Sequence, residues 1–108
     1  MLSELRDLLK GKPLKRRSPL WPRVRAAHLR AHPVCAACGR SKGLEVHHKR
    51  PVHLFPELEL DPANLITLCE PQNCHYLIGH CLSWKAYNPS VEEDAAHVRE
   101  MIASRLAA

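Results

Sequence analysis

Large aromatic side chains are scarce in this chain, with one Phe, two Trp and two Tyr among 108 residues. A single domain of this length buries only a modest core, and so few rings make that core smaller still. A further staple, such as a metal ion, is therefore expected. No apolar run approaches the ~20 residues of a membrane span. The N-terminus also lacks the apolar segment of a secretory signal. The expectation is a cytoplasmic protein, in a reducing compartment where clustered cysteines serve metal binding more often than disulfides. No internal repeat is visible.

Basic side chains are scarce in the second half. Residues 61–108 hold Lys85, Arg99 and Arg105 against six acidic residues. Residues 1–34 carry nine Lys and Arg against Glu4 and Asp7, within a chain of net charge +5. A basic leading segment and a mildly acidic tail suit an anionic polymer approached from one side. A solvated leader would show the same charges.

Cysteine and histidine are abundant, at five and eight. Residues 1–17 read as a basic arm. Within it SELRDLLKG can form a short helix capped by Ser3 and stopped at Gly11, followed by a basic linker. Residues 18–108 read as the main domain. Ser18-Pro19 starts a helix running through Trp21, Val24, Ala27 and Ala31 to Pro33. CAACG is a tight turn in which Gly39 takes a positive φ. LEVHH and NLITLC read as strands joined by the surface loop HLFPELELDPA. CHYLIGHCLSW suggests a helix weakened by Gly79. Residues 90–107 form the clearest helix, with Ser90 and Glu93 as a capping box. Its stripe of Val91, Ala95, Val98, Ile102 and Leu106 is expected to pack on the domain.

Cys35-x-x-Cys38 and Cys69-x4-Cys74 are two short-range thiolate pairs from distant segments, the spacing of a tetrahedral zinc site. Four thiolates leave no open position, so this zinc is structural and contributes about 10 kcal/mol to folding. Buried metal-free cysteines or a redox CxxC are the alternatives, and neither uses the second pair. Cys81 is spare, with a packed thiol as its default.

The order CAAC, EVHH, PANLITLC, CH resembles the HNH endonuclease family, in particular its small stand-alone, phage-type members. The resemblance covers about residues 33–80. It implies an α+β fold with a ββα-metal core, here stapled by the four-cysteine zinc and flanked by N- and C-terminal helices. It implies metal-dependent hydrolysis of DNA phosphodiester bonds, by nicking or by double-strand cleavage. His48 corresponds to the general base, and His47 and His75 to ligands of a catalytic divalent metal. Asn64 corresponds to the residue that holds the loop carrying the base.

His80 is a further candidate ligand. A five-residue gap turns an ideal helix by ~500°, so His80 joins His75 only if the helix starts late or bends at Gly79. Imidazole and water ligation admits Mg²⁺, Mn²⁺, Co²⁺, Ni²⁺ or Zn²⁺. Lys15, Arg16, Arg17, Lys49 and Arg50 are candidate phosphate contacts. His28, His32 and His97 read as surface residues, and Trp21, Trp84 and Tyr87 as packing. The rival reading is a non-catalytic zinc module that binds nucleic acid, or a packaging or mobile-element accessory. Partners would be DNA, a second copy if both strands are cut by a dimer, and other proteins for a packaging or mobile-element accessory.

Overall fold

The structure, a computed structural model, describes residues 17–107. The short helix expected at Ser3 to Gly11 and the candidate contacts Lys15 and Arg16 lie outside that range.

Helix α1, Trp21–Ala31, starts where Ser18 and two prolines place it. The Ser18 hydroxyl accepts from the Leu20 amide at 3.1 Å, and its carbonyl from the Trp21 amide at 3.0 Å. Proline suits this first turn because its missing N–H would have no helical partner there. The inward face differs from the stripe expected. Ala27 and Ala31 are exposed, while Trp21 and Val24 are half-buried and His28 is buried. His28 is thus a packed residue and not a surface one.

Strands β1, Leu44–His48, and β2, Leu65–Cys69, pair antiparallel, with Leu44 opposite Cys69 and His48 opposite Leu65. All five residues of β2 are buried. Ile66, Leu68 and Cys69 join Cys35, Ala37, Cys74, Val91 and Ala95 in one small core. Sulfur and alanine fill much of the space that rings occupy in richer cores.

The loop between the strands contains two single 3₁₀ turns, Pro56–Leu58 and Pro62–Asn64. Asp61 caps the second by accepting from the Ala63 amide at 3.0 Å. Glu59 of this loop is buried, and its carboxylate accepts from the Ser18 amide at 2.8 Å.

The segment expected to be a helix after Cys74 is one wide turn, His75–Gly79, wound i→i+5. It ends where Cys81 and Leu82 adopt φ of +51° and +68°. Cys81 is exposed and does not share the packed face of Cys74.

Helix α2, Val91–Ala107, closes the core. Val91 and Ala95 are buried and Val98 packs beside them, but Ile102 and Leu106 further along the stripe are exposed. Asn88 organises the helix start. Its Oδ1 accepts from the Ser90 amide at 2.9 Å, and its Nδ2 donates to Asp94 at 2.7 Å and to the Ile78 carbonyl at 3.0 Å. The molecule is thus a small α+β domain with a two-stranded antiparallel sheet, as the residue pattern implied. No described helix is long and apolar enough to cross a membrane.

Candidate active site

Among the described residues, two groups of side chains have metal-ligand spacing. The first is Cys35, Cys38, Cys69 and Cys74, whose sulfurs all lie within 4.8 Å of one another. Four sulfurs about 2.3 Å from one tetrahedral zinc ion stand roughly 3.8 Å apart. The Cys38–Cys69 separation is 3.5 Å.

Backbone geometry makes the convergence possible. The Cys35–Cys38 knuckle turns at Gly39, φ +79°, whose amide donates to the Cys35 carbonyl at 3.0 Å. The four-residue gap before Cys74 closes through Asn73 in the left-handed region, φ +59°, whose amide donates to the Glu70 carbonyl at 2.8 Å. Gly43 meets this loop so closely that a Cβ would stand 2.6 Å from Pro71, and its own φ is +66°.

Burial pushes the Cys74 thiol up, and the neighbouring thiols Cys69 and Cys35 push it further. Crowded, unpaired thiols resist ionising together, and a zinc ion removes that penalty by binding them as thiolates. The donor set therefore fits a structural zinc.

The second group is His47, His75 and His80, whose ligating nitrogens also fall within 4.8 Å. His75 Nε2 is 3.1 Å from His47 Nδ1 and 3.2 Å from His80 Nε2. Their outer partners fix the tautomers of two rings. His75 Nδ1–H donates to Glu70 Oε1 at 2.6 Å. His80 Nδ1–H donates to the Ala86 carbonyl at 2.9 Å. Both rings therefore present bare Nε2 lone pairs to one point, and two lone pairs at 3.2 Å repel unless a cation or proton lies between them.

Nitrogens about 2.0–2.1 Å from one tetrahedral ion would stand roughly 3.3 Å apart, close to the spacings seen. Burial, then the neighbouring His75, His80 and His48, hold His47 down to about 3. Burial also lowers His80, against the Ala86 carbonyl that raises it. These two rings are neutral near pH 7, as metal ligation requires. Buried His47 Nε2 has no hydrogen-bond partner among the described residues, and Nδ1 is the nitrogen of this ring that meets His75. The wide i→i+5 turn carries His75 and His80 to one side, which an α-helical gap of five would not do. Gly79 lies under the His47 ring, where a Cβ would sit 3.1–3.2 Å from three ring atoms.

His48 points to the other side of β1, against α1 and the loop. Its ring lies 4.5 Å, centroid to centroid, from the Trp21 ring. Nε2–H donates to the Glu59 carbonyl at 2.9 Å, which leaves Nδ1 as the acceptor nitrogen. Arg17 Nη1 stands 3.4 Å from that Nδ1. Burial lowers the His48 pKa; the Glu59 carbonyl opposes this and the Arg17 charge adds to it.

β1 ends directly after His48, where the Lys49 amide donates to the Asn64 carbonyl at 2.7 Å. Asn64 is buried and clamps the turn from both sides. Its Oδ1 accepts from the Arg50 amide at 2.9 Å, while Nδ2 donates to the Arg50 carbonyl at 3.0 Å and the Leu58 carbonyl at 3.2 Å. It takes no part in the imidazole cluster.

One open cleft of about 850 Å³ is lined by His47, His48, His75 and His80 together. The adjacent histidines thus serve two walls of one space. The basic residues lining it are Arg17, Arg25 and Lys85. Lys49 instead pairs with Glu92 at 3.0 Å, and the Arg50 guanidinium lies 5.3 Å from the Phe55 ring centre. Neither lines this cleft. Arg25, Lys85, Glu59 and Glu70 carry no motif of their own. Only Glu70, next to Cys69 and five residues before His75, had a position that could have drawn notice.

Fold and site together define a small α+β domain with a four-sulfur cluster and an accessible cluster of three imidazoles, both at metal-ligand spacing. Residues 35–80 match the family model described as HNH endonuclease. Searches of curated proteins and of solved structures returned no match.

Proposed function

We propose that the protein is a metal-dependent endonuclease that hydrolyses DNA phosphodiester bonds, with His48 as its general base. The observation that carries this reading is one cleft joining the metal-ligand geometry of His47, His75 and His80 to the acceptor Nδ1 of His48, beside Arg17.

A divalent cation held by the three imidazoles would polarise a phosphate oxygen and stabilise charge on the leaving oxygen. His48 accepts a proton from water at Nδ1. The Glu59 carbonyl keeps the ring in the correct tautomer and stabilises the imidazolium that forms. The Trp21 ring and the Asn64 clamp hold the orientation of this base. Glu70 and the Ala86 carbonyl orient His75 and His80. Arg17, beside the base, supplies positive charge where a phosphate would enter.

Three imidazoles make a better site for Zn²⁺, Ni²⁺ or Co²⁺ than for Mg²⁺, which prefers oxygen ligands. Activity is therefore expected to be higher with Ni²⁺ or Co²⁺ than with Mg²⁺.

The test is conversion of supercoiled plasmid to nicked or linear form. His48→Ala is expected to lose ~10²–10⁴-fold in rate. Its melting temperature and metal content should stay those of the parent. Cleavage at the parent rate by the purified variant would remove His48 from the role. No cleavage by the parent with any of these metals would favour the zinc-stabilised nucleic-acid-binding module.

A further inference from the structure

Trp84 was expected to be a packing residue, yet it is 58 % exposed. It lines the same cleft as the four histidines. Its ring centroid lies 4.8 Å from that of His80 and 5.3 Å from that of His75, at steep angles to both. Tyr76 supports it from another side, with centroids 4.8 Å apart.

The segment bearing Trp84 is tied to the metal-ligand turn at several points. The Ala86 carbonyl accepts from His80, and the Asn88 amide donates to the Gly79 carbonyl at 3.1 Å. The Tyr76 hydroxyl donates to the Leu82 carbonyl. The indole is therefore held at a fixed place beside the imidazoles, with much of its apolar surface facing solvent. The outer side of the indole is open to the cleft and solvent.

We propose that Trp84 is a stacking platform for one unpaired nucleobase next to the phosphate being cut, so that the cleft selects single-stranded or locally opened DNA. This rests on the nuclease reading above. A base inside a duplex has both faces covered by its neighbours and offers only edges to the grooves. A base freed from the stack exposes a π-face, and aromatic side chains bind such faces with little regard to sequence. The contact of Trp84 with His75 and His80 means that a base on its outer surface belongs to a nucleotide adjoining the one whose phosphate lies at the imidazoles. Lys85, also lining the cleft, supplies charge for the backbone of that strand. Trp84 would thus determine specificity and take no part in proton transfer.

The experiment uses the full chain carrying His48→Ala, to suppress cutting, and measures binding by fluorescence anisotropy. The probes are a labelled single-stranded DNA oligonucleotide and the same sequence as a blunt duplex. Adding Trp84→Ala is expected to weaken single-strand binding by roughly five- to one-hundred-fold, the fold-change of one lost base–aromatic stack. Duplex binding should change less than about twofold. Trp84→Phe should restore most of the single-strand affinity. The single strand should also quench an indole emission that is lost with Trp84.

Unchanged single-strand affinity in Trp84→Ala would overturn the proposal. So would an equal loss on both probes accompanied by weaker metal binding at the imidazoles, which would make Trp84 a support for the ligands. If the protein with Trp84 intact binds neither probe, the nuclease reading fails as well.

Discussion

At the residue scale, each functional histidine is distinguished by the partner of its outer nitrogen. His75 and His80 have theirs occupied by Glu70 and the Ala86 carbonyl, so both aim lone pairs inward. His48 has Nε2 occupied by the Glu59 carbonyl, so its acceptor is Nδ1. None of these partners could be read from the histidine pattern. They are a carboxylate in the cysteine loop and two backbone carbonyls set by loop geometry.

Gly79 gives a sharp test at this scale. Gly79→Ala places a methyl group 3.1–3.2 Å from His47 ring atoms, so the ring must shift. Metal affinity at the imidazole centre should fall by at least tenfold in a calorimetric titration, with the zinc content of the cysteine site unchanged. Parent affinity in that variant would contradict the close approach of Gly79 to His47.

At the element scale, the strands, the cysteine knuckle and the C-terminal helix were legible because alternation, turn residues and helical spacing are local signals. The turn after Cys74 was not. Its sequence fits a helix with a glycine near the end, and the i→i+5 winding arises from tertiary ties: Asn88 to Ile78 and Gly79, and His80 to Ala86. That winding decides that His80 joins the cluster. Asn64 is singled out through the family resemblance, and its three hydrogen bonds to Arg50 and Leu58 are geometry that no spacing rule contains.

Helix α1 was placed correctly but turned, because its apolar residues are few and small and the half-apolar His28 packs in their place. Burial, then the neighbouring His32 and Lys49, lowers the pKa of His28. Its buried Nε2 has no hydrogen-bond partner among the described residues. Lys49, one of these neighbours, is itself paired with Glu92.

The unfolded chain takes up a proton on His28 near its ordinary value of about 6.5, whereas the folded chain resists it until lower pH. Stability from neutral His28 is therefore present above pH ~6.5 and is lost as pH falls below that value towards the folded pKa. His28→Leu removes this dependence. The variant should gain stability over the parent in urea unfolding at pH 5.5 relative to its difference at pH 8. A difference independent of pH would contradict the burial of a neutral ring.

At the scale of the whole molecule, the scarcity of aromatic residues is met by a core rich in sulfur, arranged as a zinc site would need. The core around Leu68 and Val91 is small, and three of its eight buried residues are cysteines, with Cys38 packed against it. Chelation of zinc, or Cys35→Ser, should abolish the cooperative thermal transition and with it all activity. A retained transition with no zinc bound would show that the apolar core suffices. The imidazole cluster lines an open cleft, so its loss is expected to leave the sulfur cluster in place.

These opposite duties are tested most directly by titrating Ni²⁺ into zinc-loaded protein and counting the additional ions bound. The parent should take up one further equivalent. His75→Ala should lose at least tenfold in affinity for it, with the zinc and the melting transition retained. Uptake by the variant equal to that of the parent, or no uptake by either, would contradict a second metal centre built from His47, His75 and His80.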